Sequence, residues 1–302
     1  MKILITGAKG MLGQTLMKQL PPLLNGKLNS PKNTELQENS DTNYEITGCD
    51  MEDFDISSIK QTTKHFNKIN PDVAVHCAAM TDVDGCESNF EKAMQINAIG
   101  SANIASCCFN TNARLIAIST DYVFDGNLNR AYNEWDETVP STAYGKSKLA
   151  GEKAIINHCP DSAILRIAWL YGENGPSFYH TMIKLGNQSG DALKVVSDQI
   201  GNPTSTDALV PVIAHFIKNS HTGIFHSTCE GECTWYDFAN EIFRLKGLKR
   251  ETNPCSTDEY PRPAKRPANS RLDKMAFRLA GISKMPDWKD ALKSFIKTEK
   301  QK

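Results

Sequence analysis

The chain has no excess of charge of either sign, and this absence limits the partners that it can attract by electrostatics. Its 302 residues carry 34 basic and 35 acidic side chains, for a formal net charge of -1. Proteins that bind nucleic acid usually carry a basic surplus on one face. We therefore expect no nucleic-acid partner.

Long apolar runs and paired metal-binding motifs are also missing. No stretch approaches the ~18 uninterrupted apolar residues of a membrane helix, and the apolar start is too short for a signal peptide because Gly7 interrupts it. The nine cysteines are an odd number without a CxxC repeat, and Cys229 and Cys233 have no second His or Cys pair. None of the seven histidines has the spacing of metal ligands. We expect no membrane partner and no metal site, and we expect reduced thiols in the cytoplasm.

What the sequence does contain is strand-length apolar runs that alternate with stretches of helical period. This alternation is typical of an α/β fold with a parallel sheet between helices. We predict a Rossmann doubly wound parallel sheet in residues 1–168, followed by a smaller C-terminal α/β substrate lobe, mainly residues 169–302, with some segments that could return to the first domain. The predicted strands are Lys2–Thr6, a second ending near Cys49, Val73–His76, Arg114–Ser119, Ala163–Ile167, Leu193–Val196 and Gly223–His226. The predicted helices include Met11–Leu20, Asn97–Phe109, Ala143–Asn157, Asp207–Lys218 and Trp235–Leu245.

One segment breaks this alternation. Residues Pro21–Asn43 are rich in Asn, Pro, Ser and Lys and have no apolar period. Such a composition supplies neither a core nor a ligand site. We predict a surface insertion over residues 21–43.

A glycine-rich turn follows the first predicted strand directly. Gly7, Gly10 and Gly13 have G-x-x-G-x-x-G spacing, with Met11 and Leu12 opening the next helix. Glycines at such a turn let backbone N–H groups and a helix N-terminus approach a pyrophosphate. The position between a strand and an amphipathic helix favours a dinucleotide site over a simple tight turn.

An acidic group at the end of the second strand would bind the adenosine ribose of such a cofactor. Asp50 fits that role, although it could also be a turn residue. Met51-Glu52-Asp53 adds negative charge without an arginine and would repel a 2′-phosphate, whereas Lys9 would offset part of that charge. We therefore expect NADH or NADPH as cofactor, with NADH preferred.

A Tyr-x-x-x-Lys pattern supplies a candidate catalytic pair. Tyr144 and Lys148 are four residues apart on a predicted helix and share one of its faces. An ammonium close to a phenol lowers its pKa, so that tyrosine can pass a proton to a carbonyl oxygen as hydride arrives at carbon. The hydroxyl-rich segment Ser119–Gly126 ends the fourth strand, at the edge where open α/β sheets bind ligands. These elements together predict a carbonyl reductase.

With these motifs the chain resembles the extended short-chain dehydrogenase/reductases, and within them the dTDP-4-dehydrorhamnose reductases. The resemblance covers nearly the whole sequence. It is carried by the segments Ile5–Gly13, Ala78–Glu87, Ile118–Gly126, Tyr144–Lys148, Arg166–Gly172, Asp198–Thr204 and Arg266–Leu272.

This resemblance implies roles for residues that match the family's motifs. The implied catalytic residues are Thr120, Tyr144, Lys148 and Asp121. The implied cofactor-binding residues are Gly7, Gly10, Met11, Leu12, Gly13, Asp50, Asp55, Ile56, Ala78, Ala79, Thr81, Asn97, Tyr144 and Lys148. The implied substrate-binding residues are Thr120, Asp121, Val123, Phe124, Trp169, Asn202, Thr204 and Arg266. Trp169 could instead fill the junction between the lobes, and Arg266 could be a solvated loop charge.

The implied reaction is reduction of the C4 ketone of dTDP-4-dehydro-β-L-rhamnose to dTDP-L-rhamnose, with a dTDP-sugar as substrate. Two alternatives remain open. One is a related nucleotide-sugar reductase or epimerase, and the other is a non-catalytic dinucleotide-binding regulatory subunit like the beta subunit of methionine adenosyltransferase. Some family members use magnesium at a dimer contact. No residue here can be assigned to magnesium, and a homodimer stays an open alternative.

Overall fold

The computed structural model describes residues 1–26 and 43–299. Its main sheet has six parallel strands in the order β2-β1-β3-β4-β5-β10. These strands are β1 (Lys2–Thr6), β2 (Glu45–Cys49), β3 (Val73–His76), β4 (Arg114–Thr120), β5 (Ala163–Ile167) and β10 (Gly223–His226). The strand order reverses between β1 and β3, which defines the switch point at which such sheets bind ligands. The predicted doubly wound α/β fold is confirmed.

Helices cover both faces of this sheet. They are α1 (Met11–Leu24), α2 (Ile59–Ile69), α3 (Val83–Ser88), α4 (Phe90–Met94), α5 (Ser101–Thr111), α6 (Ala143–His158), α7 (Phe178–Gly186), α8 (Thr206–Lys218), α9 (Trp235–Lys246), α10 (Met275–Leu279) and α11 (Trp288–Glu299). No described helix is both long and apolar enough to span a membrane.

Alternate side chains along the strands contribute to two apolar layers, one on each face of the sheet. Ile3 and Ile5 of β1 pack with α1 and α8 on one face, whereas Leu4 packs with α2, α5 and α6 on the other. Residues i and i+2 of a strand share a face, so one strand supplies both layers. This arrangement explains why the buried strands are apolar throughout.

Six short strands complete the part of the chain after β5. They form three two-stranded pairs, β6 with β9, β7 with β12 and β8 with β11. Their bounds are β6 (Leu170–Tyr171), β7 (Leu193–Val196), β8 (Ile200–Gly201), β9 (Thr204–Ser205), β11 (Cys233–Thr234) and β12 (Thr252–Cys255). Of these short strands, β6 reaches the cavity described below through Leu170.

Helix α1 is longer than predicted. It continues through Pro21 and Pro22 to Leu24, because Leu23 and Leu24 are buried against the core and their burial outweighs the loss of two backbone donors. The prediction that a surface insertion begins at Pro21 was therefore wrong. Residues 27–42 of that predicted insertion lie outside the described residues.

The helix predicted at Asn97–Phe109 also begins differently. A π-helical turn at Gln95–Gly100 joins α4 to α5, so the helical segment starts at Phe90 and includes a local widening. Such turns are rare and are frequently found at functional sites. Here the turn carries Asn97 into the protein interior, where the residue is 1% exposed.

Candidate active site

A cavity of about 720 Å³ opens above the carboxyl ends of β1 to β5. Sixteen of the site residues predicted from the sequence line it. These are Gly7, Gly10, Met11, Leu12, Gly13, Asp50, Asp55, Ile56, Ala78, Ala79, Thr81, Thr120, Asp121, Tyr144, Lys148 and Trp169. The fold thus brings the glycine-rich turn, the Tyr-x-x-x-Lys pair and the end of β4 to one space.

The glycine-rich turn is built for close approach. Gly7 has φ +70°, and a side chain there would place a Cβ atom 2.7 Å from the backbone nitrogen of Ala78. Gly13 faces the backbone of the same turn, with no room for a Cβ atom. The turn therefore keeps its backbone exposed at the N-terminus of α1, which suits a phosphate group.

The end of β2 lies beside this turn. The carboxylate of Asp50 accepts hydrogen bonds from the backbone N–H groups of Lys9 (2.8 Å) and Met51 (2.9 Å). Lys9 also forms an ion pair with Glu52 at 2.9 Å, and both side chains are about two-thirds exposed. Lys9 and Asp50 both line this part of the cavity, and a carboxylate at the end of the second strand suits a ribose.

Asp55 and Ile56 form the next part of the wall. The carboxylate of Asp55 accepts hydrogen bonds from the backbone N–H and the hydroxyl of Ser57. The side chain of Ile56 packs against Gly100, where a Cβ atom would be 2.7 Å from it. The pair therefore has a fixed conformation at the cavity rim.

Helix α6 positions the Tyr-x-x-x-Lys pair. Its N-terminus is fixed by Thr142, whose hydroxyl accepts from the N–H of Gly145 (3.0 Å), and by Glu87 of α3, which accepts from the N–H of Ala143 (2.9 Å). Tyr144 and Lys148 are 8% and 7% exposed. Since little of either side chain is exposed, the pair is rigidly placed before any ligand binds.

The pKa values of this pair respond chiefly to burial. Burial raises the pKa of Tyr144, against a hydrogen bond with Thr120 that lowers it. Burial lowers the pKa of Lys148 to about 8, while nearby Glu152 acts to raise it. Desolvation of the phenol dominates here, and Lys148 donates its hydrogen bond to the carbonyl oxygen of Ile118 (2.8 Å). A lower pKa of Tyr144 caused by Lys148 together with the nicotinamide stays a prediction.

Thr120 and Asp121 occupy the end of β4. The hydroxyl of Thr120 donates to Asp121 Oδ1 at 2.9 Å and accepts from the N–H of Tyr122 at 3.2 Å. Burial raises the pKa of Asp121 to about 6, although hydrogen bonds from Ser270 and Thr120 favour the ionised form. Thr120 thus reaches the cavity with its orientation already set.

Trp169 lies at the cavity with a strained backbone. Its φ of +48° is uncommon for a residue with a side chain. The indole stacks on Trp235, with ring centroids 3.5 Å apart and planes within 7°. Gly201 faces the same indole and leaves no room for a Cβ atom there. Trp169 therefore both lines the cavity and fills the junction, so the two interpretations of it are compatible.

Three predicted binding residues support the cavity from behind instead of lining it. The amide of Asn97 bonds the backbone N–H and carbonyl of Met80 and the hydroxyl of Ser147. Val123 and Phe124 are 0% and 2% exposed, and Phe124 stacks on Tyr132. None of these three lines the cavity, and each side chain packs within the protein interior. Direct contact of these residues with a ligand stays a prediction.

The other three predicted sugar-binding residues of the C-terminal half do not line this cavity. The amide of Asn202 bonds the carbonyl of Gly231 and the N–H of Leu272, and the hydroxyl of Thr204 donates to the carbonyl of Asn202. Arg266 makes a two-point ion pair with Asp84, at 2.9 and 3.0 Å. Each of these polar groups has a partner within the protein, and contact of the three residues with the sugar nucleotide stays a prediction.

Sequence reasoning missed other residues of the wall. Tyr122 lines the cavity and meets the ring of Tyr144 edge-on, with centroids 5.5 Å apart. Gly175 and Pro176 form part of the opposite wall. Tyr122 could have been found from its place beside Asp121, whereas Gly175 and Pro176 carry no signal beyond that of an ordinary loop.

No described cluster of three or more His, Cys, Asp and Glu side chains could hold a metal ion.

Known proteins share sequence with this chain over nearly its whole length. The chain matches the family described as RmlD substrate binding domain over residues 1–301. The dTDP-4-dehydrorhamnose reductase of Mycolicibacterium smegmatis is 37% identical over 300 residues, which cover 98% of this chain and 85% of the relative.

Two solved structures are also similar to this chain. A dTDP-4-dehydrorhamnose reductase from Clostridium acetobutylicum is 44% identical, with a TM-score of 0.89 and coverage of 99% of this chain and 100% of that one. The enzyme of the same name from Bacillus anthracis, in complex with NADP, is 36% identical with a TM-score of 0.89 and coverage of 98% and 99%. The resemblance drawn from the motifs is confirmed, and the chain belongs to the RmlD substrate binding domain family, together with dTDP-4-dehydrorhamnose reductases.

Proposed function

We propose that this chain reduces the C4 ketone of dTDP-4-dehydro-β-L-rhamnose to dTDP-L-rhamnose, with NADH or NADPH as reductant. The observation that carries the proposal is the meeting of the glycine-rich turn with Thr120, Tyr144 and Lys148 in one cavity. A dinucleotide and a carbonyl substrate must share one space for hydride transfer. The reductase relatives over nearly the whole chain support the choice of substrate.

The residues of the turn fit a dinucleotide. Gly7 and Gly13 leave the backbone open where side chains would collide with it, and Asp50 lies beside the turn at the end of β2. In the proposed complex the turn holds the pyrophosphate and Asp50 holds the adenosine ribose. NADP in the Bacillus anthracis relative supports a nicotinamide cofactor, and the acidic rim at Asp50 and Glu52 favours NADH.

The proposed chemistry divides between cofactor and protein. When bound, the reduced nicotinamide supplies the hydride that reaches the ketone carbon. Tyr144 donates the proton to the carbonyl oxygen, and its raised pKa keeps the phenol protonated at neutral pH, which is the form that a donor needs. Thr120 orients that oxygen by donating its hydroxyl proton, which turns to the ketone from Asp121 Oδ1. Lys148 stays cationic below about pH 8 and stabilises negative charge on Tyr144 after the proton leaves.

Support for a cytoplasmic setting comes from the thiols. All nine cysteines are free, and eight of them are buried. Unpaired cysteines are usual in a reducing compartment. We include the cytoplasm in the proposal on this ground.

The test is loss of reduced-nicotinamide absorbance when the protein meets dTDP-4-dehydrorhamnose generated in situ, with NADH and NADPH compared. We expect turnover that falls by about 10²- to 10⁴-fold in Tyr144→Phe, with cofactor affinity retained. Cofactor binding without turnover on this substrate would favour the regulatory subunit. Turnover only on another nucleotide-sugar would favour a sister reductase or epimerase.

A further inference from the structure

Behind the cavity, three charged side chains are buried next to one another. Lys148 and Glu152 lie on α6, and Arg166 lies on β5. Their exposed fractions are 7%, 3% and 2%. Buried charges are costly unless they are paired and hydrogen-bonded, so a group of three requires a structural or functional explanation.

The carboxylate of Glu152 is fully engaged by donors from two strands. It accepts from the hydroxyl of Ser119 on β4 at 2.5 Å, and from Nε and Nη2 of Arg166 at 2.9 and 2.7 Å. Ser119 and Arg166 are paired directly across β4 and β5. Glu152 therefore fixes α6 to the carboxyl ends of both strands.

Lys148 binds the residue next to this contact. Its Nζ donates to the carbonyl oxygen of Ile118, and Glu152 holds the hydroxyl of Ser119. Residues four apart on a helix lie on one face, so two side chains of α6 bind two consecutive residues of β4. The next residue along β4 is Thr120, which lines the cavity.

Arg166 adds support on the far side of this contact. Its guanidinium lies 5.1 Å from the ring centre of Phe124, in the segment that leaves β4. Two residues further along β5 the chain reaches Ala168 and then Trp169, both at the cavity. One buried ion pair therefore connects the three segments that carry Thr120, Lys148 and Trp169.

The charge on Lys148 depends on few neighbours. Cys77 and His76 face it from β3, and Tyr144 and Glu152 flank it on α6. Burial raises the pKa of Cys77 to about 12 and lowers the pKa of His76 to about 3, so both are neutral at neutral pH. The nearby Asp121 influences the pKa of Tyr144 instead. Among the described groups that act on Lys148, Glu152 is the anion, and it raises the pKa of the ammonium against the effect of burial.

We propose that Glu152 is a positioning residue of the reduction: its carboxylate, held by Arg166, fixes the end of β4 that carries Thr120 and lies one helical turn from Lys148 as a buried anion. The inference rests on the proposed function, because it assigns Glu152 a part in that reaction. Glu152 is not itself a catalytic residue, since it does not line the cavity.

The first experiment measures the charge on Lys148 directly. Protein with ¹³C-labelled lysine is titrated by NMR, and the Lys148 Cε resonance is assigned by its loss in Lys148→Met. We expect Glu152→Gln to lower the midpoint of that resonance by about one pH unit, because the buried carboxylate one helical turn away is removed. The control is Glu299→Gln, which breaks the bonds of Glu299 to Lys246 and Tyr179 in the C-terminal half and leaves the midpoint unchanged.

Two further variants separate charge from hydrogen bonding. Ser119→Ala keeps all three charges and removes one bond to Glu152, so we expect kcat to fall about ten- to a hundredfold with the Lys148 midpoint unchanged. Glu152→Gln combined with Arg166→Met removes both members of the ion pair. It avoids an isolated buried guanidinium, and the midpoint then returns towards the native value. If Glu152→Gln alone does not fold, kcat of Ser119→Ala carries the test, and a native kcat there would overturn the proposal because the bond between Glu152 and β4 would not be needed.

Kinetics complete the test. Glu152→Gln should move the alkaline limb of the kcat/KM profile to lower pH, and Glu152→Asp should restore part of kcat. A midpoint that is the same in native protein, Glu152→Gln and the double variant, with activity reduced equally at every pH, would overturn the proposal. If native protein shows no turnover on the nucleotide-sugar, the proposed reaction fails, and the NMR midpoints still decide whether Glu152 controls Lys148.

Discussion

The indole of Trp169 lies flat on that of Trp235, with ring centroids 3.5 Å apart and an angle of 7° between the planes. Trp235 is itself anchored, because its Nε1 donates to the side-chain carbonyl of Gln199 at 3.0 Å. Of the two indoles, Trp169 lines the cavity. The stack therefore presents one aromatic face from the C-terminal half to whatever the cavity binds.

We predict that Trp169→Ala raises KM for the nucleotide-sugar about tenfold or more, because an aromatic face of this kind contributes on the order of 1 kcal/mol or more to a stacked contact. KM for NADH should change little. Trp169→Phe should keep most of the affinity. Steady-state kinetics with each substrate varied in turn provide the measurement, and an unchanged sugar KM in Trp169→Ala would show that the stack only fills the junction.

The pH dependence follows from Lys148. Burial lowers its pKa to about 8, so the side chain is cationic below that pH and neutral above it. Tyr144 has a raised pKa and stays protonated across the same range. We expect kcat/KM, which reports groups of the free enzyme, to decrease as pH rises through about 8. A profile that stays flat well above that pH would mean that the charge on Lys148 is not needed.

Cofactor preference should respond to the ion pair between Lys9 and Glu52. Glu52→Gln leaves Lys9 without its carboxylate partner and removes one negative charge from the rim, so binding should shift towards NADPH, whose 2′-phosphate is attracted by Lys9. Because exposed ion pairs are weak, we expect a change of about two- to fivefold in the ratio of dissociation constants. Nicotinamide fluorescence titrations measure that ratio without any need for turnover.

The matched control for this change is Glu259→Gln. Glu259 forms a comparably exposed ion pair with Lys194, at 2.8 Å, in the C-terminal half. Glu259→Gln should leave the ratio of the NADH and NADPH dissociation constants unchanged. An equal shift in both variants would assign the effect to overall charge instead of to Lys9.

Asn202 should act on stability more than on substrate affinity. Its amide links Gly231 to Leu272, and the residue is 4% exposed. Asn202→Ala leaves the buried N–H of Leu272 without its partner, which costs about 1–3 kcal/mol of unfolding free energy. Urea unfolding measures the loss. A raised sugar KM with unchanged stability would instead support the prediction that Asn202 contacts the substrate.

Much of the fold was predictable because its signals are local. Strands β1, β3 and β5 have the predicted bounds, since short apolar runs beside glycine or polar residues define buried parallel strands. The glycine turn was recognisable because only glycine fits so close to Ala78. The Tyr-x-x-x-Lys pair needed only helical spacing. Each of these signals lies within a few residues of sequence.

What the sequence did not reveal depends on contacts between distant segments. Nothing near Asn202 tells that its amide faces Leu272, and nothing near Arg266 identifies Asp84 as its partner. The continuation of α1 through two prolines depends on the burial of Leu24. The π-helical turn around Asn97 likewise follows from packing, because its side chain bonds Met80 and Ser147.

Strand β10 comes from the C-terminal half of the chain and completes the main sheet at the edge of β5. A gene fragment that stopped after β5 would expose a long apolar strand edge, which is a template for aggregation. If two related genes recombined and exchanged only the cofactor-binding half, the new half would have to bring its own β10 or pair with the existing one. Changes of sugar specificity in this architecture are therefore easier to reach by loop substitutions around the cavity than by exchange of whole halves.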